Sequence, residues 1–147
     1  ILLAQPRNPR VLQLAYMVKA RRGDFTEARR YLQQAVTLQP AKIDWVLQLC
    51  KMLESSGNDA LALEQLRTIL KRYPNSLEAR LKLARNLEVY RNDYNGAILE
   101  YGRALEIDSK SAVALAGIER CKGKKNNLAL RIKQGIQFYI VRPATKN

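Results

Sequence analysis

The sequence predicts an all-α fold of antiparallel helix pairs stacked one on the next, and three observations predict it. Pro6, Pro40 and Pro74 follow one another at intervals of 34 residues. Gly23 and Gly57 keep that interval, as do Ala28 and Ala62, and Ala97 follows 35 residues later. Between these markers apolar residues recur at the i, i+3, i+4, i+7 spacing of one helical face. A fixed period of this size belongs to a helix–turn–helix unit, which buries its apolar face only by stacking on neighbours. The 147 residues, 47% of them hydrophobic, suffice for about three full repeats with partial units at the ends.

Residues 1–8 read as the end of a preceding repeat, because Ile1 to Pro6 resembles Val36 to Pro40. On that reading the chain is a segment of a longer protein, and its exposed Ile1, Leu2 and Leu3 would favour self-association. Repeat 1 spans 9–42. Asn8 is placed to cap its first helix, and Pro9 suits the first helical position. Leu12, Ala15, Tyr16 and Lys19 share a face, and Gly23 ends the helix. Asp24 with Glu27 resembles a capping box. Ala28, Tyr31, Leu32, Ala35, Val36 and Leu38 line the second helix.

Repeat 2 spans 43–76. Trp45, Val46, Leu49, Cys50 and Leu53 form its first apolar face, Ser55 to Asn58 its turn, and Leu61, Ala62, Leu66, Ile69 and Leu70 its second face. Repeat 3 spans 77–111, with Leu81, Leu83, Ala84 and Leu87, then Ala97, Ile98, Tyr101, Ala104, Leu105 and Ile107. Its turn, Arg91-Asn92-Asp93, holds one extra residue, which an exposed turn absorbs at small cost. A partial fourth repeat or capping segment spans 112–141, and 142–147 is a basic tail. The fourth unit is expected to turn Leu115 and Ile118 inward and to break at a polar turn over 123–127. Beyond it, 128–141 has two readings. Leu128, Ile132, Ile136 and Tyr139 fit a helix that seals the stack, whereas the alternation of Leu128, Leu130, Ile132 with Ile136, Phe138, Ile140 fits a β-hairpin.

Charge is distributed unevenly. Lys and Arg number 26 against 13 Asp and Glu, for a net +13. All 13 acids lie in 1–119, whereas 120–147 holds eight bases and no acid. Such a balance points to an acidic partner, whether peptide, nucleic acid or anionic membrane. There is no histidine, so the usual neutral-pH acid–base group is missing. The two cysteines, Cys50 and Cys121, suffice for neither a disulfide framework nor a zinc site. They read as small core residues and lean towards an intracellular setting. Lys122-Gly123-Lys124-Lys125 lacks the spacing of a phosphate-binding loop. No cofactor, metal or catalytic constellation is expected, and the chain reads as a non-enzyme.

Gly23-Asp24-Phe25 with Ala28, Leu32, Ala35 and Pro40 resembles the tetratricopeptide repeat (TPR) family. So do Gly57, Ala62, Leu66 and Pro74, and Asp93-Tyr94 with Ala97, Tyr101 and Ala104. The resemblance covers about residues 1–122. It departs from the family where Tyr16, Cys50 and Glu119 stand at a position usually taken by Gly or Ala. The likeness implies a right-handed superhelical solenoid and a non-catalytic protein-interaction scaffold within a larger assembly, its concave groove lined by the first helix of each pair. Carried onto this chain, the groove positions fall on Arg10, Gln13, Leu14, Met17 and Arg21. In the next units they fall on Asp44, Leu47, Gln48, Lys51 and Glu54, then on Glu78, Leu81, Lys82, Arg85 and Glu88, then on Val113, Ala116, Arg120 and Lys124.

One inner-wall position reads Met17, Lys51, Arg85, Arg120 through successive units. Three cations there would attract a carboxylate-bearing segment. Glu54 and Glu88 stand three residues after Lys51 and Arg85 and are placed to pair locally with them. The Lys and Asn pair by which chaperone-binding members clamp a terminal carboxylate is replaced by Gln13 and Met17, so an Hsp70 or Hsp90 tail is not the expected ligand. The partner-binding residues expected are therefore Arg10, Gln13, Met17, Arg21, Gln48, Lys51, Lys82, Arg85 and Arg120, facing an acidic peptide. The alternative is a nucleic acid or anionic lipid bound through Lys122, Lys124, Lys125, Arg131, Lys133 and Arg142, with Phe138 and Tyr139 as stacking or interfacial groups.

Overall fold

The computed structural model describes residues 7–140, with side chains to Gly135. The expectations for residues 1–6 and for Phe138, Tyr139 and Arg142 lie outside what it describes. Among the described residues the fold is all-α. The helices are α1 (Pro9–Arg21), α2 (Phe25–Leu38), α3 (Ile43–Ser55), α4 (Asp59–Arg72), α5 (Leu77–Tyr90), α6 (Tyr94–Ile107) and α7 (Ala112–Ile140). They fall into two compact units, divided inside α5 between Leu83 and Ala84.

In the first unit α1 packs on α2, α2 on α3 and α3 on α4. The core is the predicted one: Leu12, Ala28, Leu32 and Ala35, then Trp45, Val46, Leu49, Cys50 and Leu53, then Ala62, Leu66 and Ile69. The alanines are fully buried, since a side chain of one carbon lets two helix backbones approach closely. Three expectations change. Leu38 and Leu61 are exposed, and Leu47, carried onto the groove by resemblance, is buried instead. With Trp45, Val46 and Leu49 it makes α3 apolar around most of its circumference.

The helix ends follow from local chemistry. The Asn8 side chain accepts a hydrogen bond from the Arg10 amide at 2.9 Å, and Pro9 opens α1. Gly23 and Gly57 have positive φ (77° and 75°), which lets the chain reverse without a Cβ clash. The Asp24 carboxylate caps α2 by accepting from the Glu27 amide at 3.3 Å. The reciprocal half of the expected capping box is missing, because Glu27 turns outward to Arg30, 2.7 Å away.

In the second unit α7 packs on α6. The core comprises Ala84 and Leu87, then Ala97, Tyr101 and Ala104, then Ala114 and Cys121. The extra residue of the third turn is visible in its closure. In the first two turns an amide reaches back five residues, Asp24 to the Lys19 carbonyl at 3.0 Å and Asn58 to that of Leu53 at 2.8 Å. In the third, Asp93 reaches back six, to Leu87 at 3.0 Å, and Asn92 takes the left-handed conformation at φ 52°.

The C-terminal segment corrects three expectations. No turn interrupts 123–127: α7 runs through it, and one glycine weakens a helix by about 1 kcal/mol without breaking it. The hairpin reading of 128–141 is excluded over 128–140, which is helical. The buried stripe of α7 is Ala114, Gly117 and Cys121, continuing from Ser111 just before the helix, so Leu115 faces solvent. The stripe is set by Tyr101, whose ring lies where a Cβ on Gly117 would stand. Large side chains do not fit there. Past Cys121, Leu128, Leu130 and Ile132 are each about half exposed, so this stretch of α7 seals no core among the described residues.

Candidate functional site

The first unit gathers most of the residues assigned to the groove. Gln13, Met17 and Arg21 project from α1 towards Gln48 of α3, and together they line a hollow of about 290 Å³. Gln48 also borders a larger cavity of about 690 Å³, whose wall includes Lys51. Arg10 and Gln13 border a third, of about 480 Å³, with Asp44 and Trp45. Helical spacing explains the grouping: Arg10, Gln13, Met17 and Arg21 step along one face of α1 at intervals of three or four residues. Lys51 makes no ion pair among the described residues. Lys82 lies near enough to Cys50 for its charge to act on the thiol. Burial dominates there, with Glu54 adding to it, and the thiol is pushed up to about 12.

Arg85 and Arg120 belong to the second unit. Arg85 is exposed and makes no ion pair among the described residues. Arg120 is committed inside its own unit. Its Nε and Nη2 donate to the two carboxylate oxygens of Glu88 at 3.1 and 3.0 Å. Lys124 donates to Glu88 at 3.1 Å, and so does the Tyr101 hydroxyl, at 2.9 Å. Glu88 itself is only 2% exposed. The Arg120 bonds outweigh the cost of burial, with help from Lys124 and Tyr101, and hold the carboxyl at about 2. Burial, and then the Glu88 carboxylate, push the Tyr101 hydroxyl up to about 12. The local pairing expected between Arg85 and Glu88 is thus replaced by pairing of Glu88 with α7.

Much of the basic segment is likewise engaged. Lys122 pairs with Glu119 at 3.0 Å, and Lys125 donates to the Asn95 side chain at 2.6 Å. Lys124 also lies 5.5 Å from the centre of the Tyr94 ring. Arg131 and Lys133 are exposed and make no ion pair among the described residues.

The sequence reading passed over two groups. The Glu88–Tyr101–Arg120–Lys124 cluster joins positions 13 to 36 residues apart, which no periodicity connects. The other is the set of residues around the larger cavity beyond Gln48 and Lys51, among them Phe25, Arg29 and Asn58. An aromatic at the start of α2 was visible in the sequence, but its exposure was not. Among the described residues no group of acids and cysteines is arranged to hold a metal. No described helix is long and apolar enough to cross a membrane.

Residues 20–87 match the tetratricopeptide repeat family. Several solved structures are similar. A tetratricopeptide repeat protein from Parabacteroides merdae is 22% identical, with a TM-score of 0.73 over 95% of this chain and 55% of its own. The Sgt2 TPR domain from Aspergillus fumigatus is 20% identical, with a TM-score of 0.69 over 87% of this chain and 85% of its own. The first TPR of Spaghetti (RPAP3), bound to the HSP90 peptide SRMEEVD, is 12% identical, with a TM-score of 0.69 over 86% of this chain and 99% of its own. No curated protein matches the sequence. At these identities the likeness is one of fold.

Proposed function

Because the chain belongs to the tetratricopeptide repeat family, whose members are generally non-catalytic interaction modules, we propose that it is a scaffold binding an acidic peptide segment of a partner protein. In the first unit the binding surface is formed by Arg10, Gln13, Met17, Arg21, Gln48, Lys51 and Lys82. The observation that carries this reading is Lys51, a cation beside a hollow, with no ion pair among the described residues. A carboxylate brought there gains a charged partner that the fold has not already used. The peptide named in the Spaghetti structure has three acidic side chains, which accords with this chemistry. Arg120 takes a different role, since its guanidinium already neutralises Glu88.

The absence of histidine and the raised thiol of Cys50 support a non-catalytic reading. Binding of nucleic acid or anionic lipid by the C-terminal segment has narrower support, resting on Arg131 and Lys133 now that Lys122, Lys124 and Lys125 have partners within the chain.

The test is partner capture by the full chain with nuclease present, beside the Lys51→Glu/Lys82→Glu double variant and a truncation after Asn127. That truncation keeps Arg120 and Lys124 on Glu88, which a cut after Glu119 would not. The groove reading expects capture to be lost in the double variant and kept in the truncation. The reverse pattern would transfer the function to the C-terminal segment.

A further inference from the structure

The larger cavity of the first unit borders the groove assigned from the first helices at Gln48 and Lys51 and extends beyond it to Phe25, Arg29 and Asn58. It opens at the turn end of α1, α2 and α3 and shares Tyr16, Ala20 and Gln48 with the groove hollow beside it. Its apolar surface comes from Tyr16, Phe25 and Met52. Phe25 stands at the first position of α2 and is 66% exposed, the most exposed of the large apolar side chains described. A phenylalanine in that state keeps most of its ring in water, and covering the ring is favourable.

The charged surface comes from Arg29 and Lys51, and no carboxylate lines the cavity. Arg29 is half-buried. Its Nη1 donates to the Ser56 hydroxyl at 3.4 Å. Asn58 donates to the same hydroxyl at 3.0 Å, and that hydroxyl donates to the Leu53 carbonyl at 3.0 Å. The guanidinium is thus oriented by a neutral group and makes no ion pair among the described residues, an arrangement suited to an incoming carboxylate. At about 690 Å³ the cavity is large enough for one bulky side chain and the peptide backbone around it.

We infer that this cavity is a specificity pocket for an aromatic or long aliphatic side chain flanked by carboxylates, presented by the acidic peptide that occupies the adjoining groove. The inference rests on the groove reading, because the shared wall of Tyr16, Ala20 and Gln48 is the route by which one peptide reaches both hollows. Charge complementarity selects the occupant. A second copy of this chain, with net +13, brings mostly like charge to Arg29 and Lys51, whereas an acidic peptide brings the opposite charge.

The probes are two end-blocked synthetic peptides, Glu-Glu-Phe-Glu-Glu and Glu-Glu-Ala-Glu-Glu, titrated into the isotopically labelled full chain and followed by amide chemical shifts. The expected result is saturable shifts at Phe25, Arg29, Lys51 and Asn58, with the Phe peptide binding about tenfold tighter than the Ala peptide, the ratio expected for burying one ring. Phe25→Ala should abolish that preference. Arg29→Glu should weaken both peptides about tenfold or more. Phe25 is exposed and Arg29 half-buried, and a thermal melt of each variant confirms folding. Equal affinity for the two peptides, with shifts at Gln13, Met17, Lys51 and Lys82 but none at Phe25, Arg29 or Asn58, would overturn the pocket and leave the groove reading standing. No saturable shift with either peptide would overturn both.

Discussion

Glu88 shows how one residue can hold three helices together, α5 to both α6 and α7. It is buried with a full charge, a costly state unless partners surround it, and here three side chains reach it. Its carboxyl titrates near 2 in the folded chain, below an ordinary glutamate. The sign follows: this stabilisation is present in full above the ordinary carboxyl range and is lost as pH falls through that range towards 2. It is worth on the order of 3 kcal/mol. Glu88→Gln keeps an acceptor for Tyr101 and removes the charge. Thermal melts across this acid range should show a lower melting temperature at neutral pH and a flatter acid limb than in the parent chain. Gly117 makes a second residue-scale prediction. An alanine there meets the Tyr101 ring and should cost about 1–3 kcal/mol in denaturant unfolding. Gly102→Ala, with open space around it, should instead stabilise by up to about 1 kcal/mol.

At the scale of elements, six helices were readable from the sequence because their caps and periods are local properties. The glycines that turn the chain, the aspartates at 24 and 93 and the alanine spacing each act over a few residues. The seventh was misread for the same reason. Gly123-Lys124-Lys125-Asn126-Asn127 has the composition of a turn, yet Lys124 and Lys125 are held by Glu88 and Asn95, some 30 residues or more earlier in the chain. Those bonds carry the helix across the glycine. Gly123 has nothing near its missing Cβ, so Gly123→Ala should strengthen α7 by about 1 kcal/mol. Slower amide exchange over 120–130 is the measurement that checks it.

At the scale of the molecule the excess of positive charge would set the pH and salt response of the proposed association. With no histidine to titrate, binding of an acidic peptide should be nearly constant from about pH 6 to about pH 8. It should weaken as salt rises, because Lys51 is exposed and screening acts strongly on exposed charges. Calorimetric titration at two pH values and two salt concentrations checks both. A binding curve that moved with pH in this interval would point to a titrating group other than those described.

The repeat period, the alanines at the close crossings and the excess of basic residues are visible in the bare sequence, because each is a regularity along the chain. Which cations remain available is not. Arg120 and Lys51 occupy equivalent positions in the period, but only Arg120 has a buried carboxylate from another helix within reach. Likewise Phe25 looked like any aromatic at a helix start until α1 and α3 were placed around it. A charge or a ring becomes a site through what surrounds it in space, and those neighbours come from distant parts of the chain.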